Sequence, residues 1–119
     1  MLSASVSISG STWTLQVNDA TENWTFTFST PNTSPGLGQG SASVIVEGNS
    51  ACYPPACHGL AKFGAVHFTG ATAVLNGQVG PIGAFPPIPM QTTYGSTVLA
   101  APGPLDPSGE DFTDTWYGN

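Results

Sequence analysis

Arginine is absent from the chain, and lysine occurs once, as Lys62. Nucleic-acid binding draws its affinity from clustered Lys and Arg that displace counterions from phosphates. Without such a cluster, neither nucleic acid nor an anionic membrane surface is an expected partner. Charge of either sign is scarce, at 7% of the 119 residues, against about a quarter in an ordinary soluble protein. The seven carboxylates dominate what charge there is and leave a net charge of −6. Solubility must therefore rest on hydroxyls and amides. Acid unfolds proteins mainly by protonating carboxylates that were paired in the native state. A chain with few of them has little to lose, and tolerance of low pH is expected.

Long apolar runs are also missing. Nothing approaches the ~18 consecutive apolar residues of a membrane span, and no basic-then-apolar leader precedes the first patterned segment. Cysteine occurs twice, as Cys52 and Cys57 in "CYPPAC", a loop-like stretch in which a local disulfide could close in an oxidising compartment. The sequons Asn23-Trp24-Thr25 and Asn32-Thr33-Ser34 would accept N-glycans in a eukaryotic secretory host. The expected location is extracellular, with no signal peptide in this chain.

Helical periodicity is absent as well, and what replaces it is alternation. Leu2, Ala4, Val6 and Ile8 fall on one side of a strand, and Ser3, Ser5, Ser7 and Ser9 on the other, the period-two pattern of a half-buried antiparallel strand. "TWTLQVND" and "ENWTFTFS" repeat it, with Trp13, Leu15 and Val17, then Trp24, Phe26 and Phe28, on the apolar side. Tight turns at Gly10-Ser11 and after Asp19 join the three into a meander. The Pro- and Gly-rich stretch 30–40 reads as a loop, and "SASVIVE" (41–47) as the next strand. "KFGAVHFTGATAVL" reads as two short strands broken at Gly70, and 77–89 as a Pro/Gly-rich passage. "STVLAA" and "DFTDTWY" are the closing strands. Seven to nine short strands with regular turns predict an all-β antiparallel sandwich of the lectin-like jelly-roll kind, in a single domain spanning 1–119.

Few residues carry chemistry. His58 and His67 are the two histidines, and no nucleophile-elbow motif surrounds any serine. Cys52, Cys57, His58 and His67 are zinc-ligand residue types at spacings unlike those of zinc fingers or ribbons, so neither metal nor other cofactor is expected. The aromatic residues could form a sugar-stacking face, but their period-two spacing is also that of a core. Asp19, Glu22, Asp106, Glu110 and Asp111 adjoin turn residues and read as turn caps; Asp114 lies within the last strand. Glu47, ending the apolar run of "SASVIVEGN", remains. By alternation it shares a side with Ile45 and Ser43, opposite Val44 and Val46. It is either a solvated strand end or a carboxylate partly withdrawn from water, whose raised pKa would suit acid–base work.

The order "SASVIVEGN", "GLAKFGAVHFTGATA" (59–73), "IPM" (88–90) and "DFTDTW" resembles the C-terminal half of the eqolisin, or glutamic peptidase, family. That family's pattern runs approximately AEWIVE, a variable loop, LADFG-x-V-x-FT-x-A, I-x-M and a closing strand. The resemblance implies an antiparallel β-sandwich and a secreted endopeptidase active in acid. In such enzymes a Glu activates water and then protonates the leaving amine, while a Gln amide holds the oxyanion. It assigns Glu47 as the catalytic carboxylate and a polypeptide as the substrate.

Three departures stand out: Ser43-Val44 replaces Glu-Trp, Lys62 replaces Asp, and nothing matches the segment that bears the Gln. Gln16 lies in a strand aligned with a later part of the family fold and is not assigned that role. The chain is thus expected to begin inside the domain, to lack the partner Gln and to be inactive alone. A partial sandwich exposes strand edges and apolar faces, so self-association through uncovered edges is expected. The competing reading is a non-catalytic secreted sandwich that binds carbohydrate or protein, which the changes at Ser43, Val44 and Lys62 favour.

Overall fold

A computed structural model describes residues 1–33, 41–47 and 60–118. The chain divides into two compact units, Met1–Gly40 and Ser41–Asn119. Among the described residues there are nine strands, all paired antiparallel, and no α-helix.

The first unit is the meander that the alternation predicts: β1 (Leu2–Ser9), β2 (Thr12–Asp19) and β3 (Trp24–Pro31) in the order β1-β2-β3. Its register places Val6 opposite Leu15 and Leu15 opposite Phe28, with Ala4, Val17 and Phe26 forming the next apolar row. The other face holds Ser5, Gln16 and Thr27 in one row and Ser7, Thr14 and Ser29 in another. Cross-strand side-chain bonds knit that polar face together: Thr14 to Ser29 at 3.1 Å, Gln16 to Thr27 at 3.3 Å and Asn18 to Thr25 at 2.8 Å. A one-residue slip would exchange the two faces wholesale, so the pattern itself fixes the register. At the β2–β3 turn, Asp19 Oδ1 accepts the Thr21 and Glu22 amides at 2.8 and 3.2 Å. These bonds to the charged form, that from Thr21 foremost, hold the Asp19 carboxyl below its ordinary value.

The second unit contains a four-stranded sheet in the order β4-β9-β8-β7 and a separate hairpin of β5 and β6. The strands are β4 (Ala65–Phe68), β5 (Thr72–Leu75), β6 (Gln78–Pro81), β7 (Thr92–Tyr94), β8 (Thr97–Pro102) and β9 (Phe112–Trp116). Strands β4, β5, β8 and β9 are those read from sequence. β6 and β7 lie in or beside the passage read as irregular. The β6 hairpin turns on Asn76 and Gly77, both with positive φ (52° and 80°), the Asn-Gly signature of a two-residue hairpin loop.

Leu60, Leu99 and Ala100 are the buried centre of this unit, with Val46, Phe63 and Trp116 packed against them. Phe68 and Phe112, directly paired across β4 and β9, stack with ring centroids 4.8 Å apart. The 103–111 connection is tied down by backbone bonds. Gly83 donates to the Gly109 carbonyl at 2.9 Å and Asp106 to the Asp111 carbonyl at 2.9 Å.

Candidate active site

Glu47 ends the described segment 41–47 with its side chain exposed. Of the apolar run before it only Val46 is half-buried, packed against the Leu60, Leu99 and Ala100 centre; Val44 and Ile45 are exposed. Val46 inward and Glu47 outward agree with the alternation. The expected strand does not form, however, for 41–47 joins no sheet ladder. The reason lies in what takes its backbone groups. The Val46 carbonyl accepts a 2.7 Å hydrogen bond from Thr92 Oγ1 on β7, and the Val46 amide faces the carboxyl of Asp114 on β9, where it acts against the effect of burial. A side chain takes the Val46 carbonyl where a neighbouring strand would otherwise do so.

Asp114 is the residue whose importance the sequence does not disclose. Alternation along β9 places it on one face with Phe112 and Trp116, and cross-strand pairing adds Val66 on β4 and Pro102 on β8 to that face. It is a carboxylate set among apolar neighbours and is only 5% exposed. Burial pushes its carboxyl above the ordinary range, outweighing the Thr115 and Val46 amides, which act the other way. Its Oδ1 and the nearby Trp116 Nε1 are both buried without a hydrogen-bond partner among the described residues. The signal available in the sequence was one acidic residue at an inward position of a closing strand. Pattern alone did not show which face of that strand was inward.

The remaining candidates fall elsewhere. Lys62, which stands where the family pattern has an acid, places its Nζ 5.5 Å from the centroid of the Trp116 ring, a cation–π contact. His67 pairs with Thr113 Oγ1 at 2.9 Å through Nδ1, and by alternation occupies the face of the sheet opposite Asp114. Gln16 donates to Thr27 on the polar face of the first unit. Cys52, Cys57 and His58 lie outside the described residues, and so does the disulfide expected of that loop.

The turn acids behave as caps. Asp106 accepts from the Ser108 hydroxyl at 2.7 Å and from the Asp111 and Glu110 amides, which lower its carboxyl to about 2, the Ser108 bond being the largest cause. Asp111 accepts the Gly70 amide at 2.9 Å. Two open depressions adjoin the 103–109 connection, and neither is lined by Glu47 or Asp114. Among the described residues no cluster of His, Cys, Asp and Glu has the geometry to hold a metal ion.

What the arrangement offers chemically is a solvent-accessible carboxylate, Glu47, projecting from a main chain fixed at the preceding residue. A carboxylate so placed can take a proton from water and return it to a leaving group, provided the reacting bond is brought to it.

A search of curated protein sequences finds no match to the chain. Among solved structures it is similar to the crystal structure of aspergilloglutamic peptidase from Aspergillus niger, with a TM-score of 0.76 and 23% sequence identity over 98% of this chain. The chain spans 66% of that structure's length. Similarity at this level of identity establishes the fold, an antiparallel all-β architecture of the sandwich class that the strand pattern predicts. The peptidase A4 family matches residues 2–102, most of the chain, and it is to this family, the eqolisins that the order of motifs resembles, that the chain belongs.

Proposed function

We propose that this chain forms part of an acid-active glutamic endopeptidase in which Glu47 activates the attacking water and then protonates the leaving amine. The observation that carries the reading is the placement of Glu47. It stands at the end of the motif the resemblance assigns and follows directly on Val46, whose carbonyl Thr92 holds. Its exposure is that of a solvated strand end, so the assignment rests on the motif and not on withdrawal from water. Membership in a peptidase family supports a polypeptide substrate. A general acid–base needs a partner that stabilises the oxyanion as charge develops. No glutamine of this chain is assigned that role, and Gln16 is already engaged with Thr27. Secretion and acid activity belong to the same proposal, supported by the scarcity of ionisable groups.

The test is hydrolysis of denatured casein at about pH 3, where a carboxylate can cycle its proton. The protein is expressed from its complete reading frame and compared with Glu47→Gln. Loss of turnover in the variant supports the assignment, and unchanged turnover rejects it. A second reading, a non-catalytic sandwich that binds carbohydrate or protein, is favoured by one observation: the residue replacing the family's acid, Lys62, is engaged with Trp116. Glycan binding that survives Glu47→Gln, with no hydrolysis in either form, would establish that reading.

A further inference from the structure

Val46 has no strand partner, yet both of its polar backbone atoms meet side chains from two strands of the β4-β9-β8-β7 sheet. Thr92 on β7 bonds the carbonyl at 2.7 Å, and the Asp114 carboxyl on β9 faces the amide. Val46 itself is seated on Leu60, Leu99 and Ala100. Three contacts therefore meet on the residue before Glu47. Fixing the carbonyl of one residue, together with its side chain, fixes the plane of the following peptide and the position of the next Cα, so that a single dihedral, the φ of Glu47, is left to set where its Cβ points.

Nothing else in the described surroundings requires an acid at position 114. The neighbours that share its face, Phe112, Val66 and Pro102, are apolar. Among the described residues no cation answers it: Lys62 lies over the Trp116 ring, and His67 is on the opposite face with Thr113. β8 contains no titratable residue, and the titratable groups on the other adjoining elements are Tyr94 on β7 and Glu47 itself. An apolar residue would satisfy the alternation of β9 without the penalty of burying a carboxylate. Groups that cost stability and answer no structural need are characteristic of functional positions.

We infer that Asp114 is a positioning residue for Glu47, holding with Thr92 the Val46 peptide from which Glu47 projects. The inference rests on the proposed function insofar as Glu47 is the acid–base. The clamp on Val46 is a separate claim and can be tested separately.

Two readouts are used on the protein from its complete reading frame, comparing wild type with Asp114→Ala, Asp114→Asn and Thr92→Val. The first is hydrogen exchange at the Val46 and Glu47 amides, followed by NMR. Faster exchange at these positions in Asp114→Ala, with the Phe68–Phe112 region unchanged, is the expected result. Unchanged exchange at Val46 overturns the clamp.

The second readout is steady-state hydrolysis. Misplacing a reacting group by ~1 Å can cost about 100-fold in rate, so Asp114→Ala is expected to lower kcat 10- to 100-fold with KM within about twofold. Asp114→Asn, whose amide oxygen still accepts the Val46 amide, should recover part of the loss. Equal kcat in wild type and Asp114→Ala overturns the positioning role. If wild type does not hydrolyse, or Glu47→Gln does so equally well, the proposed function fails, and the exchange data still decide whether Asp114 holds Val46. Should Asp114→Ala not fold, Asp114→Asn and Thr92→Val carry the same comparison.

Discussion

Thr92 Oγ1 donates a 2.7 Å hydrogen bond to the carbonyl of Val46, a residue 46 positions earlier in the chain. The bond substitutes for a sheet ladder, and it explains how an apolar segment can be ordered beside a sheet without becoming one of its strands. It also predicts how that segment responds to change.

Thr92→Val keeps the shape of the side chain and removes the donor, leaving the partly buried Val46 carbonyl unanswered. The expected cost is about 1–2 kcal/mol in stability, read as a lower urea midpoint at unchanged slope. Thr92→Ser, which retains the hydroxyl, should recover most of it. Equal midpoints for wild type and Thr92→Val would show that the bond contributes nothing.

The pH dependence of Asp114 has a definite sign. Its carboxyl is raised above the ordinary value of 3.8, chiefly by burial, so the folded state favours the protonated form. That contribution is complete below the unfolded pKa and is lost as pH rises through the folded one. Asp114→Asn, uncharged throughout, should therefore melt at a higher temperature than wild type near neutrality, with the two converging below pH ~4. A constant difference across this range would contradict the burial argument.

Asp106 has the opposite sign. Bonds from Ser108 and from the Asp111 and Glu110 amides bring its carboxyl to about 2. Its contribution is present above the ordinary value of 3.8 and is lost as pH falls towards about 2. Carboxyl NMR titration should find it among the last acids to protonate. In Ser108→Ala, which removes the largest cause, its pKa should move back up.

Gly83 and Gly109 approach too closely for a side chain. A Cβ built on Gly83 would lie 2.9 Å from the Gly109 Cα and 3.2 Å from its carbonyl oxygen. Both neighbours are backbone, which cannot swing aside. Gly83→Ala is expected to cost about 1–3 kcal/mol through overpacking. Gly80→Ala, where the nearest atom is a side-chain carbon at 3.7 Å, should be tolerated or mildly stabilising. Chemical denaturation of the two variants side by side tests the contrast.

Much of the fold was legible because alternation is a local property. Ser3 to Ser9 and Leu2 to Ile8 sort onto two faces whatever lies beyond them, and the meander of β1 to β3 follows with its register. The Asn76-Gly77 turn is a hairpin signal that the reading of 77–89 as a Pro/Gly-rich passage passes over, and β6 is missed with it. The absence of a strand at 41–47 was not legible, because an apolar β-branched run specifies extended chain without specifying a partner. Here the Thr92 hydroxyl supplied a hydrogen bond that a partner strand would have made.

The sequence by itself thus determined the all-β class, the two-faced first unit and, through the order of short motifs, the peptidase family. Each is a property of neighbours in the chain. The burial of Asp114, its contact with Val46 and the grip of Thr92 on the same peptide were decided only by tertiary structure. A carboxylate's surroundings depend on which distant strands lie alongside it, and alternation fixes the two faces of a strand without saying which one another segment will cover.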